Sequence, residues 1–263
     1  MQSSIELNLT AQTQYLLRIG DTCLILAQRL GEWCGHAPVL EEDIAMANIA
    51  LDLVGQARAV LTLAGQMEGQ QGQQGSIHDE DQLAFLRNER DYFNLTLVEL
   101  PRGDFAFSVL RNTMVATWLK LLWARLATSS HTELAAIAGK AVKEARYHQQ
   151  HSGDWVVRLG DGTAESRQRM TAALSSLWRY TPELFDTDAA DEAAAAMGLG
   201  PLWSELQTPW LEDMHMILGE AGLAVPAASA FKSDGKRGRH SEHMGFILTD
   251  MQYLQRTFPG GVW

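Results

Sequence analysis

The stretch TAQTQYLLRIGDTCLILAQRLGEW, residues 10–33, carries apolar side chains at steps of three and four residues. These side chains are Leu16, Ile19, Cys23, Leu26 and Leu30. This spacing places them on one face of an α-helix, because a helix completes a turn about every 3.6 residues. We therefore predict a helix over residues 10–33, and Gly35 and Pro38 mark its end.

The same periodicity continues along most of the chain. It predicts further helices over residues 40–66, 79–100, 104–128, 131–159, 164–184, 189–197, 201–223 and 240–257. The glycine-rich GQQGQQGS, residues 69–76, predicts a loop, and residues 226–239 are polar and irregular. The alternating, β-branched pattern of strands is missing. The sequence therefore predicts an all-α, single-domain chain (1–263), with a core bundle over residues 10–160 and additional C-terminal helices over 164–257.

Composition and charge narrow the classes of function. The formal net charge is −11, from 21 basic and 32 acidic residues. Nucleic acids and anionic membranes attract clustered positive charge, so we expect neither as a partner. Cys23 and Cys34 fit no disulfide or zinc pattern. There is no secretory leader pattern and no run of about 20 uncharged apolar residues, so we expect a cytoplasmic protein.

The segment KEARYHQQH, residues 143–151, raises the question of a metal site. Glu144 and His148 are four residues apart and share a helical face. A di-iron carboxylate bundle takes one carboxylate from each of two helices and a Glu-x-x-His pair from each of the other two. The two irons need negative oxygens, imidazoles and open positions for oxygen.

The spacing of these residues departs from that pattern. Three residues after Glu144 stands Tyr147 in place of the histidine. On the helix over residues 40–66, the best acidic residue is Asp52, and three residues on is Gly55, which has no side chain. We interpret His148 and His151 as surface or supporting residues and not as metal ligands.

Four long segments carry a resemblance to a known family. They are LRIGDTCLILAQRLGEWCGHAPVLEEDIAMANIALDLVGQAR (17–58), KEARYHQQHSGDWVVRLGDGT (143–163), LWRYTPELFD (177–186) and HSEHMGFILTDMQYLQR (240–256). They resemble, collinearly, the C-subunit family of the multicomponent phenylacetyl-CoA epoxidase, the ring 1,2-phenylacetyl-CoA monooxygenase. The longer N-terminus and the GQQGQQG loop are the departures.

The resemblance implies a ferritin-like bundle that has lost a working di-iron centre. It implies pairing with a catalytic A subunit that holds the di-iron centre, and a small B subunit that links the heterodimers. It also implies a reductase with FAD, NADPH and a 2Fe–2S cluster. The complex adds one oxygen atom to the aromatic ring of phenylacetyl-CoA. The resemblance implies that the C subunit itself holds no cofactor. Whether the isolated chain forms a homodimer is left open.

The resemblance also places the two single carboxylates, about 30 residues upstream of the Glu-x-x-His positions. One of these positions falls at Asp21, and the other falls at Val115, within residues 113–117, where no carboxylate stands. The vestigial di-iron positions are therefore Asp21, Asp52, Gly55, Val115, Glu144 and Tyr147. We expect the remaining carboxylates to be buried polar residues of the bundle, with Arg18, Lys143 and Arg146 as candidate partners.

Two other hypotheses compete with a non-catalytic subunit. The first is an active di-iron oxygenase with atypical ligands, in which Asp21, Asp52 and Glu144 converge with Tyr147 or His148. The second is a free-standing helical binding protein.

Three further features have a structural and a functional interpretation. The basic residues Lys232, Lys236, Arg237 and Arg239 lie either in a solvated loop or on a docking surface for the reductase or coenzyme A phosphates. The sequence HSEH, residues 240–243, favours a helix start over a metal site. Six tryptophans on predicted helices serve the core or a partner interface: Trp118, Trp123, Trp155, Trp178, Trp203 and Trp210.

Overall fold

The computed structural model describes residues 2–71 and 78–261. Over these residues the chain is helical, and only the isolated pair Asp234 and Arg239 forms a β-bridge. The α-helices are α1 (Ala11–Gly31), α2 (Leu40–Gln71), α3 (Glu80–Phe85), α4 (Phe105–Leu126), α5 (Thr132–Gly160), α6 (Ala164–Leu177), α7 (Ala189–Ala196), α8 (Gln207–Glu220) and α9 (Met244–Thr257). The predicted all-α class is confirmed.

Two helix hairpins form the core bundle. Helix α1 packs along α2, and α4 packs along α5. Short connections make each pair antiparallel. The hairpins meet where α2 contacts α5, whereas α6 and α8 pack on α4 and α5, and α7 and α9 contact α1. This arrangement places α1, α2, α4 and α5 around one interior.

Side-chain caps set the starts of the core helices. The hydroxyl of Thr10 accepts a hydrogen bond from Thr13 N at the start of α1. Asp104 accepts one from Phe107 N, 2.9 Å away, at the start of α4. Each cap satisfies a backbone N–H that has no partner within the helix. The predicted starts at residues 10 and 104 therefore agree closely with the structure.

The helix predicted over residues 79–100 is wrong beyond its first turns. Helix α3 ends at Phe85, and the chain then runs irregularly through 3₁₀ turns at Glu89–Asp91 and Thr96–Val98. In this segment, Phe93 N donates to Asp21 Oδ2 at 2.8 Å and Leu95 N donates to Thr22 Oγ1 at 3.2 Å. Contacts with α1 therefore replace the hydrogen bonds of a helix. The local sequence pattern does not reveal these contacts.

Other predicted helices have shifted boundaries. Helix α6 gives way to a 3₁₀ segment, Trp178–Phe185, which contains Pro182, and proline has no N–H to continue a helix. A 3₁₀ turn, Trp203–Leu206, precedes α8. Helix α2 extends to Gln71, into the predicted loop over residues 69–76. The rest of that loop lies outside the residues that the structure describes.

The tryptophans mostly serve the core. Trp118, Trp123, Trp203 and Trp210 are fully buried within this chain, and Trp178 is nearly so. The rings of Trp118 and Trp203 meet edge to face at 4.8 Å between centroids. These four indoles are enclosed by the chain itself, so the predicted partner role does not apply to them.

Helices α1 and α2 differ in burial. Sixteen of the twenty-one residues of α1 are buried. In contrast, only 44% of the apolar window of Leu40–Gly69 is buried, although this helix is long and apolar enough to cross a membrane by length and composition. Core helices of globular proteins meet the same criterion, so it is weak support for a membrane span. It does show that α2 is apolar on more than one face.

Candidate functional site

Asp21, the predicted ligand on α1, is engaged by an arginine. Its carboxylate is fully buried and accepts hydrogen bonds from both terminal nitrogens of Arg87, one of them at 3.0 Å. Phe93 N also donates to it. The guanidinium lies over the Tyr92 ring, 4.1 Å from its centroid. Asp21 therefore holds the segment after α3 against α1, and its charge is already balanced.

Asp52 and Gly55, the predicted positions on α2, lie on the outer side of the bundle. The Asp52 side chain is 41% exposed and its Oδ2 lies 3.0 Å from His148 Nε2. Gly55 is exposed, and no atom lies within 4 Å of where a Cβ would be. A histidine at residue 55 would therefore extend into solvent and not into the bundle.

The segment KEARYHQQH of α5 divides between inside and outside. Tyr147 is 53% exposed, so it does not occupy a ligand position in the interior. His148 is buried and bridges α5 to Asp52 of α2, so of the two predicted roles, surface or supporting residue, its position agrees with the second. Burial lowers the pKa of His148, and this effect exceeds the increase that the hydrogen bond to Asp52 causes. His151 Nε2 lies 3.1 Å from Glu42 Oε2.

One side chain from each core helix meets at the centre of the bundle. We call this set the Gln56 cluster: Cys23 of α1, Gln56 of α2, Trp123 of α4 and Glu144 of α5. Gln56 Oε1 accepts from Trp123 Nε1 at 3.1 Å and lies 3.7 Å from Cys23 Sγ. Gln56 Nε2 donates to Glu144 Oε2 at 3.0 Å. The cluster is thus a hydrogen-bonded network in which three uncharged side chains meet one carboxyl group at its edge.

Most of the Gln56 cluster is buried, whereas Glu144 at its edge is partly exposed. Burial raises the pKa of the Cys23 thiol, and the charges of Asp21 and Glu144 raise it further, so the thiol stays protonated. Glu144 Oε1 lies 3.4 Å from the exposed Lys140 Nζ. Val115, the remaining predicted position, is a fully buried apolar residue of α4. The indole of Trp123 is fully buried between α4 and Gln56 of α2.

The predicted vestigial positions therefore do not come together. Only Glu144 reaches the interior cluster, whereas Asp21 faces the segment after α3, and Asp52, Gly55 and Tyr147 face outward. Among residues 2–71 and 78–261, no three His, Cys, Asp or Glu side chains are arranged so that they could hold a metal ion. The donors among these described residues therefore do not fit a di-iron centre.

The carboxylates are paired or hydrogen-bonded as expected, but their partners are not the candidates Arg18, Lys143 and Arg146. Arg18 does not pair with Asp52 or Glu144; it contacts Asp188 Oδ2 at 2.6 Å and Asp191 Oδ1 at 2.7 Å. Sequence reasoning missed Gln56, although a glutamine among Leu53, Ala57 and Val60 is a polar residue on an apolar helix face. That pattern was the available signal, because a buried amide needs partners.

Lys236 cannot belong to the docking surface that was one of the two interpretations of the basic residues. Its side chain is fully buried, with Nζ 2.8 Å from Asp191 Oδ2 and 4.2 Å from the centroid of the Trp203 ring. Burial lowers the pKa of Lys236, against the raising effect of Asp191. An enclosed ammonium does not reach an external phosphate, so Lys236 anchors the 234–239 segment to α1 and α7.

Arg237 is also held within the chain, whereas two basic residues remain outward. Arg237 contacts Asp186 at 2.6 Å and Asp234 at 2.7 Å. Lys232 and Arg239 line a cavity of about 530 Å³ together with Arg237, and the Arg239 side chain is 79% exposed. Of the four basic residues, Lys232 and Arg239 are thus the two whose side chains are exposed at the rim of this cavity.

The HSEH segment makes long-range contacts. His240 Nδ1 lies 2.7 Å from the buried Glu99 Oε1, and Ser241 N donates to Glu99 Oε2 at 2.7 Å. Helix α9 begins at Met244, after this segment. Burial lowers the pKa of His240, but the hydrogen bond and charge of Glu99 raise it more, so the net shift is upward. The predicted local hydrogen bonds at the helix start are also present, because His243 N donates to Ser241 Oγ at 3.3 Å and Met244 N donates to Ser241 O at 3.2 Å.

These observations define the class of protein: an all-helical, ferritin-like bundle whose interior is closed by its own side chains. The chain belongs to the phenylacetic acid catabolic protein family, whose model matches residues 1–263. It is 48% identical over 251 residues to the C subunit of the 1,2-phenylacetyl-CoA epoxidase of Escherichia coli (strain K12). The match covers 95% of this chain and 98% of that relative.

Proposed function

We propose that this chain is a non-catalytic structural subunit of a multicomponent 1,2-phenylacetyl-CoA epoxidase that acts in aerobic phenylacetate degradation in the cytoplasm. Its role is to hold the catalytic A subunit, which carries the di-iron centre, in a productive shape. The Gln56 cluster carries the proposal, because an amide, an indole and a thiol occupy the interior where a di-iron centre needs carboxylates and imidazoles.

The remaining parts of the complex follow from the same proposal. The A subunit forms a heterodimer with this chain, and a small B subunit links the heterodimers. A reductase with FAD, NADPH and a 2Fe–2S cluster supplies electrons, and this chain holds no cofactor itself. Lys232 and Arg239 remain candidates for contacts with the reductase or with coenzyme A phosphates, because both lie at the rim of one cavity.

The alternative of an active di-iron oxygenase with atypical ligands has less support. It requires Asp21, Asp52 and Glu144 to converge, but Arg87 engages Asp21, and Asp52 is half-exposed on the outer side of α2. Moving Asp21 to a metal would leave the buried Arg87 without its counter-charge, which is strongly unfavourable.

Reconstitution tests the proposal. The A subunit, B subunit and reductase are assayed for epoxidation of phenylacetyl-CoA with and without this chain, and the metal content of this chain is measured separately. We expect a stable complex with the A subunit, loss of turnover when this chain is omitted, and no stoichiometric iron in it. About two irons per chain, with oxygen activation by the isolated chain, would favour the alternative.

The same purification distinguishes a free-standing binding protein. If the chain remains a monomer in the presence of the A subunit and turnover does not depend on it, the structural-subunit proposal is wrong.

A further inference from the structure

Helix α2 has two apolar faces, and among residues 2–71 and 78–261 only one of them is covered. Ile49, Leu53 and Val60 are buried against the core. On the outer side lies a second series, which we call the α2 outer stripe: Leu40, Ile44, Ala47, Leu51 and Val54. Leu40 is 72% exposed, Ile44 55% and Leu51 67%. A helix with two apolar faces is typical of one that is covered on both sides.

The spacing of the α2 outer stripe fits another helix. Its residues follow one another at steps of four, three, four and three. This is the seam pattern of helices that pack lengthwise, crossing at about 20°. From Leu40 to Val54 the stripe is about 21 Å long, at about 1.5 Å per residue. It is therefore long enough for several turns of a partner helix.

Two small residues flank the middle of the stripe. Ala47 and Gly55 lie four residues before and four residues after Leu51. Gly55 is in the interior of α2, where glycine weakens a helix, yet apart from its chain neighbours and its own helix backbone no described atom lies within 4 Å of where its Cβ would be. Packing inside this chain thus gives no reason for a glycine here. A close approach by a helix from outside does, because small residues let two helix backbones come together.

The size and the border of this surface suit a protein interface. The four exposed side chains of the stripe expose on the order of several hundred Å² of apolar area, the range in which patches mark interaction sites. Asn48 and the Arg58–Glu80 pair supply polar groups at the border. A stable interface covers about 800 Å² on each partner, so the stripe and its border provide most of what is needed.

We propose that the α2 outer stripe is the surface through which this chain packs against the catalytic subunit, with an apolar helix of that partner lying over Leu51 between Ala47 and Gly55. The identity of the partner rests on the proposed function, whereas the location and the helical nature of the contact rest on the stripe.

Two substitutions test the proposal in the co-expressed complex. Leu51→Glu introduces a charge at the centre of the stripe. Gly55→Leu adds bulk at the crossing point, and it favours the isolated helix because leucine is a better helix former than glycine. Binding to the catalytic subunit is measured by co-purification and titration, and the folding of each variant by thermal unfolding. We expect at least a tenfold loss of affinity for both variants, with no loss of thermal stability for Gly55→Leu.

Two matched controls lie elsewhere in the molecule. Gly219→Leu makes the same substitution on α8, where again no atom lies within 4 Å of where a Cβ would be. Phe246→Glu places a charge on α9, at a residue that is 70% exposed. Both variants are expected to bind like the wild type. If Gly55→Leu and Leu51→Glu also bind like the wild type, the assignment of the interface is wrong while the proposed function stands.

The remaining outcomes are equally informative. If the wild-type chain does not associate with the catalytic subunit, the proposed function and this assignment both fail. In the purified complex, a disulfide between two Leu51→Cys copies of this chain would show that a second copy occupies the stripe, and the assignment would be wrong. Binding of the chain to phosphatidylcholine vesicles through the stripe, in preference to the catalytic subunit, would also overturn the assignment.

Discussion

Helices α1 and α2 are neighbours in one hairpin and both are rich in apolar residues, but they are covered differently. Helix α1 is buried on nearly all sides, because the segment after α3 and the segments around Asp191 and Lys236 pack over the side that faces away from α2. The outer side of α2 keeps exposed leucine and isoleucine side chains. The chain thus covers the second face of α1 itself, and under our proposal a partner helix lies over that of α2.

The charges on the two helices follow the same division. Arg18 and Asp21 of α1 are completely buried, and each is matched by an opposite charge from a later segment. Asp52 of α2 stays half-exposed beside His148. The later segments therefore bring counter-charges as well as apolar cover to α1, and four sets of variants test this difference.

Removing Asp21 should destabilise the chain more than any other change considered. Asp21→Ala leaves the buried Arg87 guanidinium without its counter-charge, and we expect the free energy of unfolding to fall by about 3–5 kcal/mol. Asp52→Ala is the control, with an expected change of about 1 kcal/mol or less, because its carboxylate is partly solvated. Urea unfolding followed by circular dichroism measures both. Equal losses would contradict the difference between the two helices.

Two leucines on α2 separate its inner face from its outer face. Leu53 is fully buried and Leu51 is 67% exposed. We expect Leu53→Ala to lower the free energy of unfolding by about 2–5 kcal/mol, because it leaves a cavity in the core. Leu51→Ala is expected to change it by about 0.5 kcal/mol or less in the isolated chain. A large loss for Leu51→Ala in the isolated chain would show that the outer face is already covered.

The closed interior is tested at Gln56. Gln56→Leu leaves the buried Trp123 N–H without an acceptor, and the expected loss is about 1–3 kcal/mol of unfolding free energy. Trp123→Phe removes that N–H. The double variant should therefore lose less than the sum of the two single variants, as measured in a double-mutant cycle. Strict additivity would indicate that the hydrogen bond does not join the two residues.

The smallest expected effect is on the pH dependence of stability, which should differ between His148 and His240. The lowered pKa of His148 means that the unfolded chain binds a proton more readily, so its contribution to stability is present above the ordinary value of 6.5 and is lost on acidification. The raised pKa of His240 has the opposite sign: its contribution is present below 6.5 and is lost as the pH rises through the raised value.

Unfolding of His148→Gln and His240→Gln between about pH 5 and 8 measures this difference. We expect His148→Gln to lose less stability than the wild type on acidification, and His240→Gln to lose less on a rise in pH. If both variants shift the profile in the same direction, one of the two assignments is wrong.

Much of the fold follows from local pattern. Helices α1, α2, α4 and α5 begin and end near their predicted residues, because apolar periodicity, caps and glycine or proline breaks are all local in the chain. The segment 79–100 shows where local sequence pattern fails to predict the structure. Its backbone groups bond to Asp21 and Thr22 of α1, and these partners are more than seventy residues away. The apolar pattern alone resembles that of a helix.

The interior of the bundle shows even more clearly that sequence pattern alone does not predict which side chains meet. Residue types and spacing were enough to show that no histidine follows Asp52 or Glu144 by three residues, since Gly55 and Tyr147 stand there. They were not enough to show that Gln56, and not Asp52, points inward. Helix α2 is apolar on two sides, so periodicity identifies a helix without choosing its inner face. Packing against α1 and α5 made that choice, because only in the assembled bundle do Cys23, Trp123 and Glu144 meet the Gln56 amide.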